Sequence, residues 1–375
     1  MQSLRCACTV TLSGSSAVSV ASLHIIASRQ MGGAERWFAR FLHAMQRAGE
    51  PVSALVRRDS ELARHHLDGI AHAQAPMRTV WDPLSRHEVS RYARLSGAQV
   101  VQTYMSRATR LTRLARDSAQ VHVARLGGYY GVHGFVHADA WVGNTRGLCD
   151  WMVRNGLPAE RVFHIGNFVE TARPADAAAV SALRGAHGIA ADDWLIVHAA
   201  RMVAVKDHAN LLNAFARLPA EVAGRRPRLA LLGDGPLRPA LVARAAALGI
   251  ASRIVWVGWQ HDPGPWFHAA DLMVFPSRDE ETLGNVLLEA WSHRRPIVAT
   301  AFRGARELAR HGEDALIVPC GDAAALAHAI VELLGDSGLA TRLIASGASR
   351  VADEFSEAII IDRYRDLYAR LTGSG

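Results

Sequence analysis

Short apolar runs alternate with longer helical stretches from about residue 20 onward, and the alternation is interrupted once. In the first half the strand candidates are Val20–Ala27, Val52–Arg57, Ala98–Thr103, Val121–Arg125 and Ala138–Val142. Helical patterns lie between them, as at Ala34–Ala48, Ser85–Leu95 and Thr145–Asn155. Strands separated by helices pair in parallel as βαβ units. The stretch from Gly166 to Ala191 breaks this rhythm, with Pro174, Gly185 and Gly188 and no evident strand, and reads as a linker. Strands resume at Trp194–Ala200, Arg228–Leu232, Arg253–Val257, Leu272–Phe275, Pro296–Ala299 and Ala315–Val318, with helices at Asn210–Leu218, Pro239–Leu248 and Asn285–His293 among them. Three helical segments finish the chain, the last over about Ser356–Leu371. The expected class is α/β: two doubly wound, Rossmann-like domains facing a central cleft.

A chain of 375 residues is long enough for two such domains, each with its own core. The expected boundaries are a tail or mis-assigned start over 1–19, a first domain over 20–165, a linker over 166–190, a second domain over 191–355, and a last helix over 356–371 that packs back toward the first domain. No run approaches the roughly 18 apolar residues of a membrane span. Cys6, Cys8, Cys149 and Cys320 show neither a paired metal spacing nor a disulfide framework, which suits a reduced, cytoplasmic setting.

The formal charge is +7, and it is carried almost entirely by arginine. Lysine and arginine total 42, and Lys206 is the one lysine in the sequence, leaving 41 arginines. Lysine's compact ammonium on a flexible stem is not interchangeable with a planar guanidinium. A lysine exempt from such a drift marks a required point charge, or else one that happened to escape and is a solvated loop charge. Arg201 and Lys206 follow the strand Trp194–Ala200, at the carboxyl end of a parallel strand, where such sheets bind ligands. Their five-residue spacing lets both cations converge on one diphosphate.

A second element is Glu281-Thr-Leu-Gly-Asn-Val-Leu-Leu-Glu289, after Phe275-Pro276-Ser277. Gly284 permits a tight turn, and the apolar run that follows opens a helix whose N-terminus offers free amides to an anion. Eight helical residues span about 12 Å, so the two carboxylates could reach opposite ends of an elongated ligand.

Arg201-x4-Lys206 followed by Glu281-x7-Glu289 resembles family 4 of the retaining glycosyltransferases, of GT-B fold. Met31-Gly32-Gly33-Ala34-Glu35 resembles that family's N-terminal glycine loop, and Leu232-Gly233-Asp234-Gly235-Pro236-Leu237 its Gly-x-Gly-Pro turn. Val257-Gly258-Trp259, Ala270-Asp271, Pro276-Ser277, Ala290, Pro296–Ala299 and Gly312-Glu313-Asp314 continue the order and spacing, so the resemblance runs from about residue 20 to 370. The Leu283-Gly284-Asn285 form looks like the bacterial lipopolysaccharide and surface-polysaccharide members.

The resemblance implies an acceptor-side first domain and a nucleotide-sugar-binding second one. Arg201 and Lys206 would neutralise the donor's pyrophosphate, Glu281 would contact the transferred sugar and Glu289 the ribose diol. Backbone around Thr282, Leu283, Gly284 and Asn285 would approach the phosphate and sugar. Trp259 and Gln260 would lie beside the base, and the Gly32-Gly33 loop would close over the phosphates. The implied reaction is retaining transfer of a hexose-like sugar from a UDP- or GDP-sugar to a lipopolysaccharide or other surface glycan. It needs no cofactor and no metal. The family histidine that follows the strand equivalent to Val121–Arg125 is absent; that position is filled by Arg125 or by nothing, with His133 the nearest histidine downstream. Two rival readings are a nucleotide-sugar epimerase on a similar scaffold and a non-catalytic sugar-nucleotide-binding protein.

Other signals carry less. Val203-Ala-Val-Lys206 mimics a kinase lysine strand, but the Asp-Phe-Gly and His-Arg-Asp motifs are missing. A Walker A loop is excluded, because no glycines precede the lysine as required. Arg86-His87-Glu88 lacks the second histidine of a zinc helix. Arg107, Arg110, Arg113 and Arg116, with Leu111 and Leu114 between them, read as a basic amphipathic helix. Its two readings are a solvated face and a dock for an anionic membrane, which would place the enzyme on the inner face of the cytoplasmic membrane. Nucleic acid is not expected, because no recognised binding module accompanies the basic helix.

Overall fold

The computed structural model describes residues 19–115 and 117–373. They form two compact units, one of residues up to Asn167 together with the chain from Glu357 onward, the other Phe168–Ser356.

The first unit runs β1 (Ser22–Ile26), α1 (Gly33–Arg47), β2 (Val52–Arg57), α2 (Glu61–His65), β3 (Ala71–Ala75), α3 (Pro83–Leu95), β4 (Val100–Tyr104), α4 (Met105–Leu111), β5 (Val121–Leu126), β6 (Ala140–Gly143), α5 (Arg146–Arg154) and β7 (Val162–His164). These strands form one seven-stranded sheet in the order β3-β2-β1-β4-β5-β6-β7. Every strand pair in it is parallel. Central β1 and β4 are buried along their whole length, as strands covered on both faces must be. The edge strands β3 and β7 escape sequence reading for the same reason. β3 reads Ala-His-Ala-Gln-Ala and is mostly exposed, and β7 has only three residues, so neither offers an apolar run.

The second unit contains α6 (Ala177–Ala186), β8 (Trp194–Ala199), α7 (His208–Ala216), β9 (Pro227–Leu232), α8 (Arg238–Ala247), β10 (Ile254–Gly258), α9 (Gly264–Ala269), β11 (Leu272–Phe275), α10 (Asn285–Ser292), β12 (Ile297–Thr300), α11 (Arg303–Leu308), β13 (Leu316–Val318), α12 (Ala323–Gly335) and α13 (Ser337–Glu354). Its six strands lie in the order β10-β9-β8-β11-β12-β13. The apolar residues divide into two clusters, one gathered around α7, α12 and α13, the other around α9 and α10.

The stretch read as a linker is not one. The units meet in sequence at Asn167 and Phe168, and α6 lies inside it. Asp176 caps that helix by accepting from Ala178 N, and Val180 and Leu183 pack on the core. Arg184 then donates to the carbonyls of Ala269 and Asp193 and pairs with Asp271 at 3.3 Å. Of the glycines read as breakers, Gly185 lies within the last turn of the helix and Gly188, at φ 65°, ends it rather than excluding it.

The last helix, α14 (Glu357–Thr372), belongs to the first unit. Tyr364 and Tyr368 are buried there against Trp37, Phe41 and His24. Tyr368 donates to Gln102 at 2.9 Å, and Arg365 pairs with Glu50 at 2.6 Å.

The four-arginine helix is also corrected. α4 ends at Leu111, and Thr112 turns the backbone to an extended conformation, so Arg113 lies beyond it. Arg116 lies outside the described residues. Arg110 sits over the ring of Trp81 at 5.0 Å, and Arg113 bonds its own neighbour, the Thr112 carbonyl. The spacing suggested one face; the structure divides the arginines among separate surroundings.

Candidate active site

In the second unit β8 leads outward to β9 and β10, and β11 leads the other way to β12 and β13, so the order reverses between β8 and β11. Open parallel sheets bind ligands outside the carboxyl ends of their strands at such a reversal. Lys206 follows β8 and Glu281 follows β11, and the two meet across it: Lys206 Nζ lies 2.6 Å from Glu281 Oε2. Both side chains are about four-fifths buried, at 21% and 17% exposure, so water only partly screens the pair.

The loop that carries them is held from several sides. A short 3-10 turn, Ala204–Lys206, is stopped by Asp207, which adopts a left-handed conformation at φ 43° and caps α7. Asp207 also faces Arg278 at 3.5 Å, and Arg278 N donates to Val205 O at 2.8 Å. These contacts tie the β8 loop to the β11 loop. On the other side, Met202 N donates to Asp234 O and Leu237 N to Met202 O. That approach requires the glycines of the Gly233-Asp-Gly235-Pro236 turn. Gly233 has φ 114°, and a Cβ on Gly235 would sit 2.6 Å from Met202 O.

Beneath the loop lie His198 and His208, both buried, with ring centroids 4.6 Å apart. Burial, and then the charge of Lys206, push His208 down to about 4. Both imidazoles are therefore neutral near pH 7, so they add no cation of their own to the lysine's field.

Arg201 lies at the mouth of the same reversal, exposed, and no ion-pair partner stands against it among the described residues. Gly284 is the N-cap of α10, in a left-handed conformation at φ 68°, and has no side chain with which to cap it. A side chain at 284 would also strike the Phe302 ring at 2.9 Å. The helix starts only at Asn285, so Glu281 stands on the preceding loop rather than one helical span from Glu289. Thr282 and Leu283 bridge the two, Leu283 buried and Thr282 partly exposed. Trp291, further along α10, anchors the helix by donating to Asp314 O at 3.0 Å. Asp314 is itself buried against Arg350 at 2.7 Å.

Trp259 and Gln260 follow edge strand β10, two strands from β8. Trp259 is 59% exposed, and Gln260 donates to its carbonyl at 3.1 Å. Gly233 N bonds Gly258 O at 2.7 Å, which places this turn beside the glycine turn after β9. Gly32 and Gly33 lie in the first unit, where Gly32 is the N-cap of α1 and a Cβ on it would meet Glu35 at 2.9 Å.

The open question at Arg125 is answered by packing. Arg125 is 5% exposed, lies over the Trp37 ring at 3.7 Å, and donates to Tyr364 at 3.0 Å and Asn167 at 2.5 Å. Its donors serve the first unit's interior. His133 is exposed on the short 3-10 turn Val132–Gly134.

Sequence reading gave no structural role to three residues. Arg278 couples the two loops, and Asp279 holds Arg303 at 3.2 Å and Arg306 at 2.7 Å. Gly304 passes so close to the Leu283 carbonyl that any side chain would overlap it, while its N–H donates to Glu281 O at 3.2 Å. A glycine inside an otherwise helical Arg-Gly-Ala-Arg-Glu run was the one available signal.

Residues 194–336 match the family described as glycosyl transferases group 1. The lipopolysaccharide core biosynthesis glycosyltransferase LpsE of Rhizobium meliloti is 32% identical over 345 residues, covering 90% of this chain and 96% of the relative. The chain belongs to this glycosyltransferase family. LpsD of the same organism is 30% identical, covering 90% and 95%. Among solved structures, Anabaena HepE in complex with UDP and glucose superposes with a TM-score of 0.79 at 18% identity, covering 93% of this chain and 99% of that one. The glycosyltransferase fold is GT-B, two Rossmann-like domains of parallel sheet.

Proposed function

We propose that this glycosyltransferase moves a hexose-like sugar, with retention at the anomeric carbon, from a UDP- or GDP-sugar to a lipopolysaccharide-core or related surface glycan. The observation that carries the donor half is the Lys206–Glu281 pair straddling the strand reversal, with unpaired Arg201 and the N-terminus of α10 beside it. Breaking the bond between the anomeric carbon and the diphosphate oxygen leaves the electron pair on the diphosphate. Cations already in place there stabilise the transition state more than the ground state. Arg201 and Lys206 supply that counter-charge, so the reaction calls for no metal ion or cofactor. Glu281 accepts a hydroxyl of the sugar while holding the lysine, Glu289 takes the ribose, and Thr282–Asn285 line the phosphate path. Trp259 and Gln260 face the base. The acceptor half rests on LpsE and LpsD, whose names place them in lipopolysaccharide core biosynthesis.

The same reading puts the enzyme in the cytoplasm, docked on the anionic inner leaflet. Residues 76–115 hold seven arginines against Asp82 and Glu88, a net of +5 within a chain of +7. Trp81 and Leu84 stand 75% and 69% exposed beside Arg110, a mixture of aromatic, aliphatic and cationic groups that suits a headgroup region.

The test is transfer from a panel of UDP- and GDP-sugars to a lipid-linked core acceptor, with the product's anomeric configuration read by proton NMR. An α-linked product from an α-linked donor supports the proposal. Turnover of donor without acceptor would instead reveal an epimerase, and donor binding without any transfer a non-catalytic protein.

A further inference from the structure

In the first unit the strand order reverses between β1 and β4, and arginines gather at the carboxyl ends of the strands around that reversal. Arg57 is the last residue of β2. Arg29 lies three residues past the end of β1, and its carbonyl is tied to Glu61 N at 3.2 Å. Arg107 is in the first turn of α4, directly after β4. The strands are adjacent and aligned, with Ile26 of β1 opposite both Val56 of β2 and Tyr104 of β4. The three guanidinium groups therefore rise from neighbouring strand ends on one edge of the sheet.

They also lack counter-charge. None of the three has an ion-pair partner among the described residues, and the carboxylate of nearby Glu61 accepts instead from Met31 N at 3.2 Å. Partial burial, and then the positive charges of Arg107 and Arg29, hold Arg57 below the usual arginine range. Arg29 and Arg107 are exposed and Arg57 is half-buried, so the cluster is open to solvent. Like charges crowded without a partner are costly, and a bound anion relieves that cost.

We infer that this edge of the first unit is a binding site for an anionic group, phosphate or carboxylate, on the acceptor glycan, with Arg29, Arg57 and Arg107 as its ligands. The inference rests on the proposed two-substrate transfer. The donor's diphosphate has its own cations in the second unit, so a separate cationic site at the other reversal answers to the other substrate. It removes Arg107 from the membrane-docking set, leaving Arg110 over Trp81.

The experiment titrates the full-length protein at low salt with glucose 6-phosphate, glucuronate and glucose, and separately with UDP, following each by isothermal calorimetry. The wild-type protein should bind at least one anionic sugar about tenfold more tightly than glucose, as charge-assisted hydrogen bonds to arginine imply. Which of the two gains more tells phosphate from carboxylate. Arg29→Gln/Arg57→Gln/Arg107→Gln should abolish that preference while leaving UDP affinity unchanged. Arg29→Gln/Arg107→Gln, which alters only exposed positions, should lower it with an unchanged melting temperature. The inference is overturned if the wild type shows no anionic preference, if the preference survives in the triple variant, or if it is undiminished in the double variant. It is also overturned if UDP affinity falls in step, which would assign the cluster to the donor. Failure of UDP to bind even the wild type would instead count against the donor site in the second unit.

Discussion

Replacing Lys206 by arginine keeps the charge and changes only its shape, which makes it the most discriminating perturbation of the donor site. At 2.6 Å the Lys206–Glu281 pair has a gross attraction of about 6 kcal/mol at an effective dielectric near 20. An arginine can also reach Glu281, so the loop keeps an ion pair and stability should change by no more than about 1 kcal/mol. The chemistry is less forgiving. A planar fork that spends its donors on Glu281 cannot also present a compact charge where the diphosphate leaves. Losing one preorganised donor from such a site costs about 3–4 kcal/mol in the transition state, or roughly 10²–10³ in kcat. The assay is initial-rate transfer with the donor that the wild type prefers, kcat and KM determined separately, beside thermal melts of both proteins. The expected result is a fall in kcat of about a hundredfold or more, with a nearly unchanged melting temperature. Activity within threefold of wild type would show that the lysine is incidental and would refute the reasoning.

Three further outcomes follow from the packing. Gly304→Ala should push the Leu283 carbonyl away and distort the Glu281–Asn285 loop, so transfer should drop sharply while the melting temperature falls by several degrees; normal kinetics would mean that the close approach has no role. Arg350→Ala leaves Asp314 buried without its 2.7 Å partner and should cost about 3–5 kcal/mol in urea unfolding, of which a change under 1 kcal/mol would contradict the brace. Burial lowers His24 and His122 to about 3, with nearby cations adding to the effect at His122, and it lowers His164 and His208 to about 4 with help from neighbouring cations. These groups are neutral in the fold, whereas the unfolded chain takes up protons near pH 6.5. Stability is therefore complete above that pH and falls below it, by about 2 kcal/mol per histidine at pH 5. Denaturant midpoints that stay flat from pH 7 to 5 would contradict this.

The class of fold was legible because both sheets are parallel and covered on both faces, which leaves uninterrupted apolar runs such as Leu195–Val197 and Leu272–Phe275. What escaped was whatever lacked such a run: the edge strands β3 and β7, and α6, whose ten residues include none that is fully buried. In the candidate site, Lys206 stood out by composition and Glu281 by spacing, yet nothing in the sequence says that the two touch. Pairing across a strand reversal is set by sheet order, which periodicity does not carry. Arg278 and Asp279 were hidden for a related reason, since a charged residue on a loop reads as solvated until its partner from another strand end is known. The basic helix was misread because the three-residue spacing of its arginines continues past Leu111, where the backbone stops being helical.

The central claim is that the second unit holds a nucleotide sugar by its diphosphate through Arg201 and Lys206. Thermal-shift titration with UDP, GDP and their hexose conjugates tests it most directly, in the wild type and in Arg201→Ala/Lys206→Ala. A ligand at a hundred times its dissociation constant adds about 2.7 kcal/mol of stability. At least one nucleotide sugar should raise the wild-type melting temperature and leave that of the double variant where it was. A panel that shifts neither protein, or shifts both equally, would contradict the claim.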